Sequence, residues 1–190
     1  MSLYARSFLA VYSPAAPHPR CEHGGVIGDR WGVSDAEVAW RYGCDDVVPH
    51  PTLEAWRGVT VHADTAHVWA RVRQVRLAPY SYDLVDNLGR RSPRELRDVP
   101  EPQPGDPFTH ALGRPQGLVV SVVPGEELTA MIMGAHMSYA VVPQGGAATR
   151  LLLKVVMSGS RWLAPAISVG DLVMARKQLL NLKRLAEDDR

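Results

Sequence analysis

The hydrophobic and polar positions of this 190-residue chain change period twice, and each change predicts a different kind of element. From Ser168 to Asp188 the apolar residues Leu172, Ala175, Leu179, Leu182 and Ala186 recur at helical spacing, giving one stripe on a long amphipathic helix. Ser168 with Asp171 three residues on has the form of a capping box, and the basic residues Lys183 and Arg184 suit the negative end of the helix dipole. A helix of this kind needs an apolar surface to lie on, because packing rather than propensity stabilises it. The preceding residues supply one. Gly117 to Val123, Leu128 to Met133, Met137 to Val142 and Thr149 to Met157 are short runs rich in β-branched and large apolar residues, joined at Pro124-Gly125 and Gly145-Gly146. They read as an antiparallel meander.

Upstream, Trp56, Gly58, Thr60 and His62 alternate with Arg57, Val59 and Val61, a strand with both faces mixed. Asp64 caps a following helix whose buried stripe is Val68, Trp69, Val72 and Val75. Ser34 caps an earlier one, with Glu37 at the capping-box position and Gly43 as its stop, and Asp45 to Pro51 then forms a connector. Ser92-Pro93 with Glu95 predicts a short helix start. Residues 1–33, with Pro14, Pro17, Pro19 and Gly24-Gly25, read as an irregular lead, and residues 34–190 as the folded domain. There is no repeated strand–helix alternation, so a parallel doubly wound sheet is not expected. The predicted class is α+β, a curved antiparallel sheet wrapped around a long C-terminal helix.

Composition narrows the function classes. With 46% hydrophobic and 22% charged residues the chain has the make-up of a globular protein, and its net charge of +1 creates no field to attract nucleic acid or an anionic surface. No apolar run reaches the roughly 20 residues of a membrane span. The start reads as neither signal peptide nor anchor. Two cysteines make no disulfide framework, and a reducing cytoplasm is expected. Cys21, His18, His23 and Cys44 lack the pair spacings of a zinc site, so neither metal nor cofactor is expected.

Taken in order, several stretches resemble a known family. They are the strand EAWRGVTVHA, the helix DTAHVWARVRQV, the motif YSYDLVDNLGR and the loop Pro104 to Asp106. The PGEEL hairpin, the strand TRLLLKV and the helix GDLVMARKQLLNLKR complete the series. Together they are similar to the SRPBCC, or START-like, superfamily, related to the birch-pollen-allergen fold and often labelled polyketide cyclase/dehydrase and lipid transport. The resemblance covers residues 35 to 188. It implies a helix-grip fold with a hydrophobic cavity between the sheet and the terminal helix, and no fixed catalytic set. Two features depart from the pattern: Arg76 to Pro79 stands where a Gly-Trp pair is expected, and the lead lies outside the resemblance.

No G-x-S-x-G, HExxH, P-loop or GxGxxG occurs, which leaves hydrolase, zinc-protease, nucleotide and dinucleotide readings without support. The polar residues able to line an apolar pocket are Tyr80, Tyr82, Asp83, His110, His136, Tyr139 and Arg150. Tyr80 and Tyr82 share a strand face by period two, while Arg150 fits the outer sheet face. Met131 and Met133 alternate onto one face, and Met157 and Met174 follow; flexible thioethers adapt to irregular apolar ligands. Trp162 sits at the cavity mouth or staples the last strand to the helix. The cavity candidates are therefore Tyr80, Tyr82, His110, Met131, Met133, Tyr139, Met157, Trp162 and Met174. Three functions stay open: a carrier for a small hydrophobic molecule, lipid- or polyketide-like; an enzyme of cyclase or dehydratase type; and an interaction module with a filled cavity. Phe8 to Val11 suits a lid or a homodimer contact.

Overall fold

The computed structural model describes residues 28–81, 92–111, 113–158 and 164–189, and at 111 and 164–173 it describes the backbone alone. The described residues form an α+β unit, a curved, unclosed seven-stranded sheet with a C-terminal helix. The strands are β1 (Arg30–Trp31), β2 (Leu53–Val61), β3 (Pro107–Ala111), β4 (Arg114–Val123), β5 (Glu127–Ile132), β6 (Ala135–Pro143) and β7 (Thr149–Met157). Their order is β1-β2-β7-β6-β5-β4-β3, antiparallel throughout except for β1, which runs parallel to β2. Because β1 joins the sheet at Arg30 and Trp31, the sheet begins before the boundary expected at residue 34.

Turn chemistry sets the register of the meander. At Val123-Pro124-Gly125-Glu126 the Glu126 N–H donates to the Val123 carbonyl (2.9 Å), and Gly125 takes φ +79°, so proline and glycine each occupy the position their backbone suits. The β5–β6 turn carries no such signal in the sequence. It is Met133-Gly134, both at positive φ (51° and 82°), a two-residue loop whose twist matches the flanking strands. Met133 therefore leaves the strand it was expected to share with Met131.

Both faces of the central strands are covered. On β7, Leu151, Leu153 and Val155 enter the larger core cluster, while Leu152 and Val156 enter a second one on the opposite face. We call these the inner and outer faces. The inner face is covered by α3 (Thr65–Arg73), a 3-10 turn at Gln74–Arg76, and α4 (Ala164–Asp188). The outer face is covered by two short helices, α1 (Asp35–Val38) and α2 (Gly43–Val47), through Val38, Tyr42, Cys44 and Val48.

Several expected boundaries move. The Ser34–Glu37 capping box forms with both of its bonds, yet α1 ends at Val38, where the Tyr42 hydroxyl donates to the Glu37 carbonyl (2.8 Å). Gly43 opens α2 rather than stopping α1, so part of the expected connector is helical. Asp64 caps α3 as expected, accepting from the His67 N–H at 2.9 Å. No helix forms at Ser92: residues 92–106 run irregularly, held by Gln74 Nε2 donating to the Glu95 carbonyl (3.0 Å) and Trp69 Nε1 donating to Glu101 (3.0 Å). Helix α4 starts at Ala164, with Pro165 in its first turn where a missing N–H costs nothing, so Ser168 lies inside the helix instead of capping it. Tyr80 sits at φ 54°, in a bend and not in a strand. Its expected partner Tyr82, most of the YSYDLVDNLGR motif, Trp162 and the cysteine-histidine lead up to His23 lie outside the described residues. Among the described residues no helix is long and apolar enough to cross a membrane.

Candidate functional site

The direction of α4 across the inner face decides where a ligand has room. Near its end, Lys183 Nζ donates to the Thr60 carbonyl (2.6 Å) and Glu187 accepts from the His62 N–H (2.7 Å). The second half of α4 thus lies over the β2 end at Val61, which pairs with Thr149 of β7. Ten residues of helix precede Met174, about 15 Å at 1.5 Å per residue, and they continue toward the opposite end, where Leu53, Met157 and Ala135 are paired.

A polar belt divides these two ends. Tyr139, 1% exposed, donates from its hydroxyl to Gln178 Oε1 (2.7 Å), and Gln178 Nε2 donates to the Pro79 carbonyl (2.5 Å). Asn181, one turn along α4, donates from Nδ2 to the Tyr80 carbonyl (2.9 Å). These bonds satisfy polar groups whose burial would otherwise be costly, and they fix α4 to both β6 and the segment that follows the 3-10 turn. On the Val61 side of the belt the interior is filled: Val61, Leu128, Val141, Leu151 and Leu179 are fully buried. On the Leu53 side, Ile132, Met137 and Met157 line the inner face and are only half-buried. That end, beneath the first half of α4, is the candidate site.

The expected cavity residues divide among several places. Tyr80 and Tyr139 are in the inner core, Tyr139 with Phe108 at a ring separation of 6.2 Å, and Met157 borders the half-open end. Met131 is paired with His136, which is paired in turn with Val156 of the outer cluster, so both Met131 and His136 face outward. Met133, in its turn, is 92% exposed. Met174 is exposed on α4, its carbonyl accepting from Ser81 Oγ (3.2 Å). His110 is exposed at the β3 edge, its Nδ1 at 2.8 Å from the Arg76 carbonyl. Arg150 lies on the outer face as expected, where it clasps Glu37 (Nε to Oε1, 2.6 Å; Nη2 to Oε2, 3.1 Å). His136 and Arg150 are therefore separated by the sheet from Tyr80 and Tyr139, and these residues do not converge on one point.

Two inner residues escaped the sequence reading. Met137 lies one residue pair from Tyr139, its Sδ 3.7 Å from the Tyr139 hydroxyl, and the alternation of β6 was the signal for it. Gln178 stands three residues after Ala175 on the buried stripe, a polar residue at an apolar position, which is itself a sign of a buried partner.

The outer face also holds a buried polar network. Lys154, with its side chain 5% exposed, pairs with Asp45 and with Glu54 (3.0 Å), and its ammonium stands 5.0 Å over the Trp56 ring. Gly43 N–H donates to Glu127 (2.8 Å), Cys44 N–H donates to Ser138 Oγ (2.9 Å), and Ser138 Oγ is 2.7 Å from Thr129 Oγ1. Burial raises the Cys44 thiol to about 12, with the Ser138 hydrogen bond opposing it, which disfavours the thiolate. The network holds α2 against the sheet. Among the described residues no cluster of three or more His, Cys, Asp or Glu is arranged to hold a metal.

No family model and no curated protein matches the chain. Solved structures similar to it include the protein NE0264 from Nitrosomonas europaea, at 12% identity and TM-score 0.48, covering 73% of this chain and 97% of that one. The Polyketide_cyc-like protein Cgl2372 from Corynebacterium glutamicum is 13% identical at TM-score 0.46, covering 74% and 94%. The AHSA1-like protein RHE_CH02687 from Rhizobium etli is 16% identical at TM-score 0.42, covering 71% and 82%. The likeness is one of fold. At these identities activity and ligand rest on the residues of this chain.

Proposed function

We propose that the protein binds and carries a small hydrophobic molecule, lipid- or polyketide-like, between the inner sheet face and the first half of α4. One observation carries this reading: on a single continuous inner face, Val61, Val141, Leu151 and Leu179 beyond the Tyr139–Gln178 belt are fully buried, while Ile132, Met137 and Met157 before it are only half-buried. Half-exposed thioethers beside an otherwise dry core offer an adaptable apolar wall, and the belt gives a ligand a polar end-stop. The test is uptake of 1-anilinonaphthalene-8-sulfonate by the full chain, alongside native mass spectrometry of freshly purified protein. Met137→Trp should fill the site and abolish the fluorescence gain, and Met133→Trp, in the exposed turn, should leave it unchanged. A gain that persists in Met137→Trp, or no gain in the wild type, sinks the proposal.

A further inference from the structure

Along the second half of α4 lies a pocket of about 60 Å³ lined by Tyr80, Ser92, Arg94, Asn181, Arg184 and Leu185. Two guanidinium groups share it. Asn181, Arg184 and Leu185 stand at helical spacing on one face of α4, and Arg94 comes across from the irregular 92–106 segment. Several nearby cations do meet acceptors: Arg71 forks onto Asp189 (2.6 and 2.5 Å), Arg73 meets Glu101 (3.3 Å), Arg76 meets Asp106 (3.0 Å) and Lys183 meets Glu187 (2.7 Å). Among the described residues, neither Arg94 nor Arg184 has a hydrogen bond or an ion pair, and no carboxylate lines the pocket. Two like charges facing one small space repel each other, and an anion between them reverses the sign of that interaction. The buried Leu185 and Tyr80 wall the space and keep water from one side, which strengthens such a contact.

We infer that this pocket is an anion site, taking one carboxylate or phosphate group between the Arg94 and Arg184 guanidiniums. The volume admits a group of that size, and the fork geometry of arginine suits both. The anion is either a free small ion or the acidic head of an amphipathic molecule, and the two sources separate experimentally. The two arginines play no part in the proposed carrier site, so their test stands or falls apart from the Met137 test.

The experiment titrates inorganic phosphate, acetate and decanoate separately into the 15N-labelled full chain at low ionic strength, reading the Arg Nε–Hε signals and the amides of residues 92–94 and 181–185. The expected result is a saturable shift of both arginine signals, weakened by added salt. Arg94→Gln and Arg184→Gln should each weaken binding by about tenfold, the loss expected for one charge-assisted hydrogen bond. Both residues are exposed, so the variants should fold, which an unchanged unfolding midpoint verifies. Arg184→Lys should fall between wild type and Arg184→Gln, keeping the charge and losing the fork. Phosphate saturating before both carboxylates identifies a free phosphate; decanoate saturating well before acetate identifies an acidic headgroup; acetate and decanoate together identify a free carboxylate. Absence of a saturable shift with all three, or a shift that survives in the Arg94→Gln/Arg184→Gln double variant, overturns the inference.

Discussion

Leu153 and Lys154 are consecutive residues of β7, both buried, and they point into opposite kinds of interior. Leu153 enters a cluster of aliphatic and aromatic side chains under α3 and α4, where contact area is the whole of its contribution. Lys154 enters a layer between the sheet and α2, where two carboxylates and two aromatic rings surround its ammonium. The inner face is held mainly by non-directional burial, crossed by the Tyr139–Gln178 belt, and the side chains at its half-buried end are apolar. The outer face is held by directional bonds, and every missing partner there strands a charge. This difference is why the room for a ligand is on the inner face, while the outer face reads as a structural clasp.

The sharpest way to break that comparison is to remove one buried side chain from each face. Leu179→Ala, at a fully buried position of α4, should cost about 4 kcal/mol in urea unfolding through lost transfer energy and the cavity left behind. Lys154→Ala should cost about 3 kcal/mol, since it leaves Asp45 and Glu54 facing each other without a cation. Lys154→Met should recover part of that loss by restoring apolar volume beside Trp56; a Met variant no better than Ala would mean that packing contributes nothing on this face. Gly43→Ala should cost about 2 kcal/mol, because a Cβ there would come within 2.4 Å of Thr129 Oγ1 and push α2 off the sheet. On the inner face the two ends should differ as well. Met137→Ala, at a half-buried position, should cost about 1 kcal/mol against the larger loss for Leu179→Ala. Equal losses would mean that the two ends are packed alike.

The elements that were legible in the sequence are those specified by local chemistry. The Asp64 cap, the Ser34–Glu37 capping box, the Pro124-Gly125 turn and the apolar stripe through Leu179 and Leu182 each follow from residues within a few positions of one another. What stayed hidden depends on partners far along the chain. Nothing around Met133 announces a left-handed turn residue, and its place is fixed by the register of β5 against β6. The outward direction of Met131 follows from its pairing with His136, and the early end of α1 coincides with a hydroxyl bond from Tyr42. Gln178 on the α4 stripe and Lys154 inside an apolar strand were visible as exceptions to the pattern, although their partners Tyr139 and Asp45 were not. For the candidate site the consequence is direct. The sequence indicated which surface lies under α4, but not which end of it is open, because that depends on how the belt crosses.

The smallest expected effect separates two carboxylates within the outer face. Burial would raise the Glu37 carboxyl, but the Arg150 fork and the Ser34 bonds outweigh it and hold the pKa below its ordinary 4.5. Glu127 is also raised by burial, with Asp45 and Asp46 adding to it, and there the Gly43 N–H and Ser138 bonds do not overcome the rise. The signs of linkage are therefore opposite. Glu37 binds its proton more weakly folded than unfolded, so its contribution is present above 4.5 and lost as pH falls through its lower folded value. Glu127 binds its proton more tightly folded, so its contribution is full below 4.5 and is lost as pH rises through its higher folded value. Urea midpoints measured from about pH 4 to 7 should show Glu127→Gln gaining on wild type as pH rises. Glu37→Gln should fall further behind wild type over the same rise. If both variants track wild type with the same slope, the outer face is no more proton-linked than the apolar one, and its network holds α2 by shape alone.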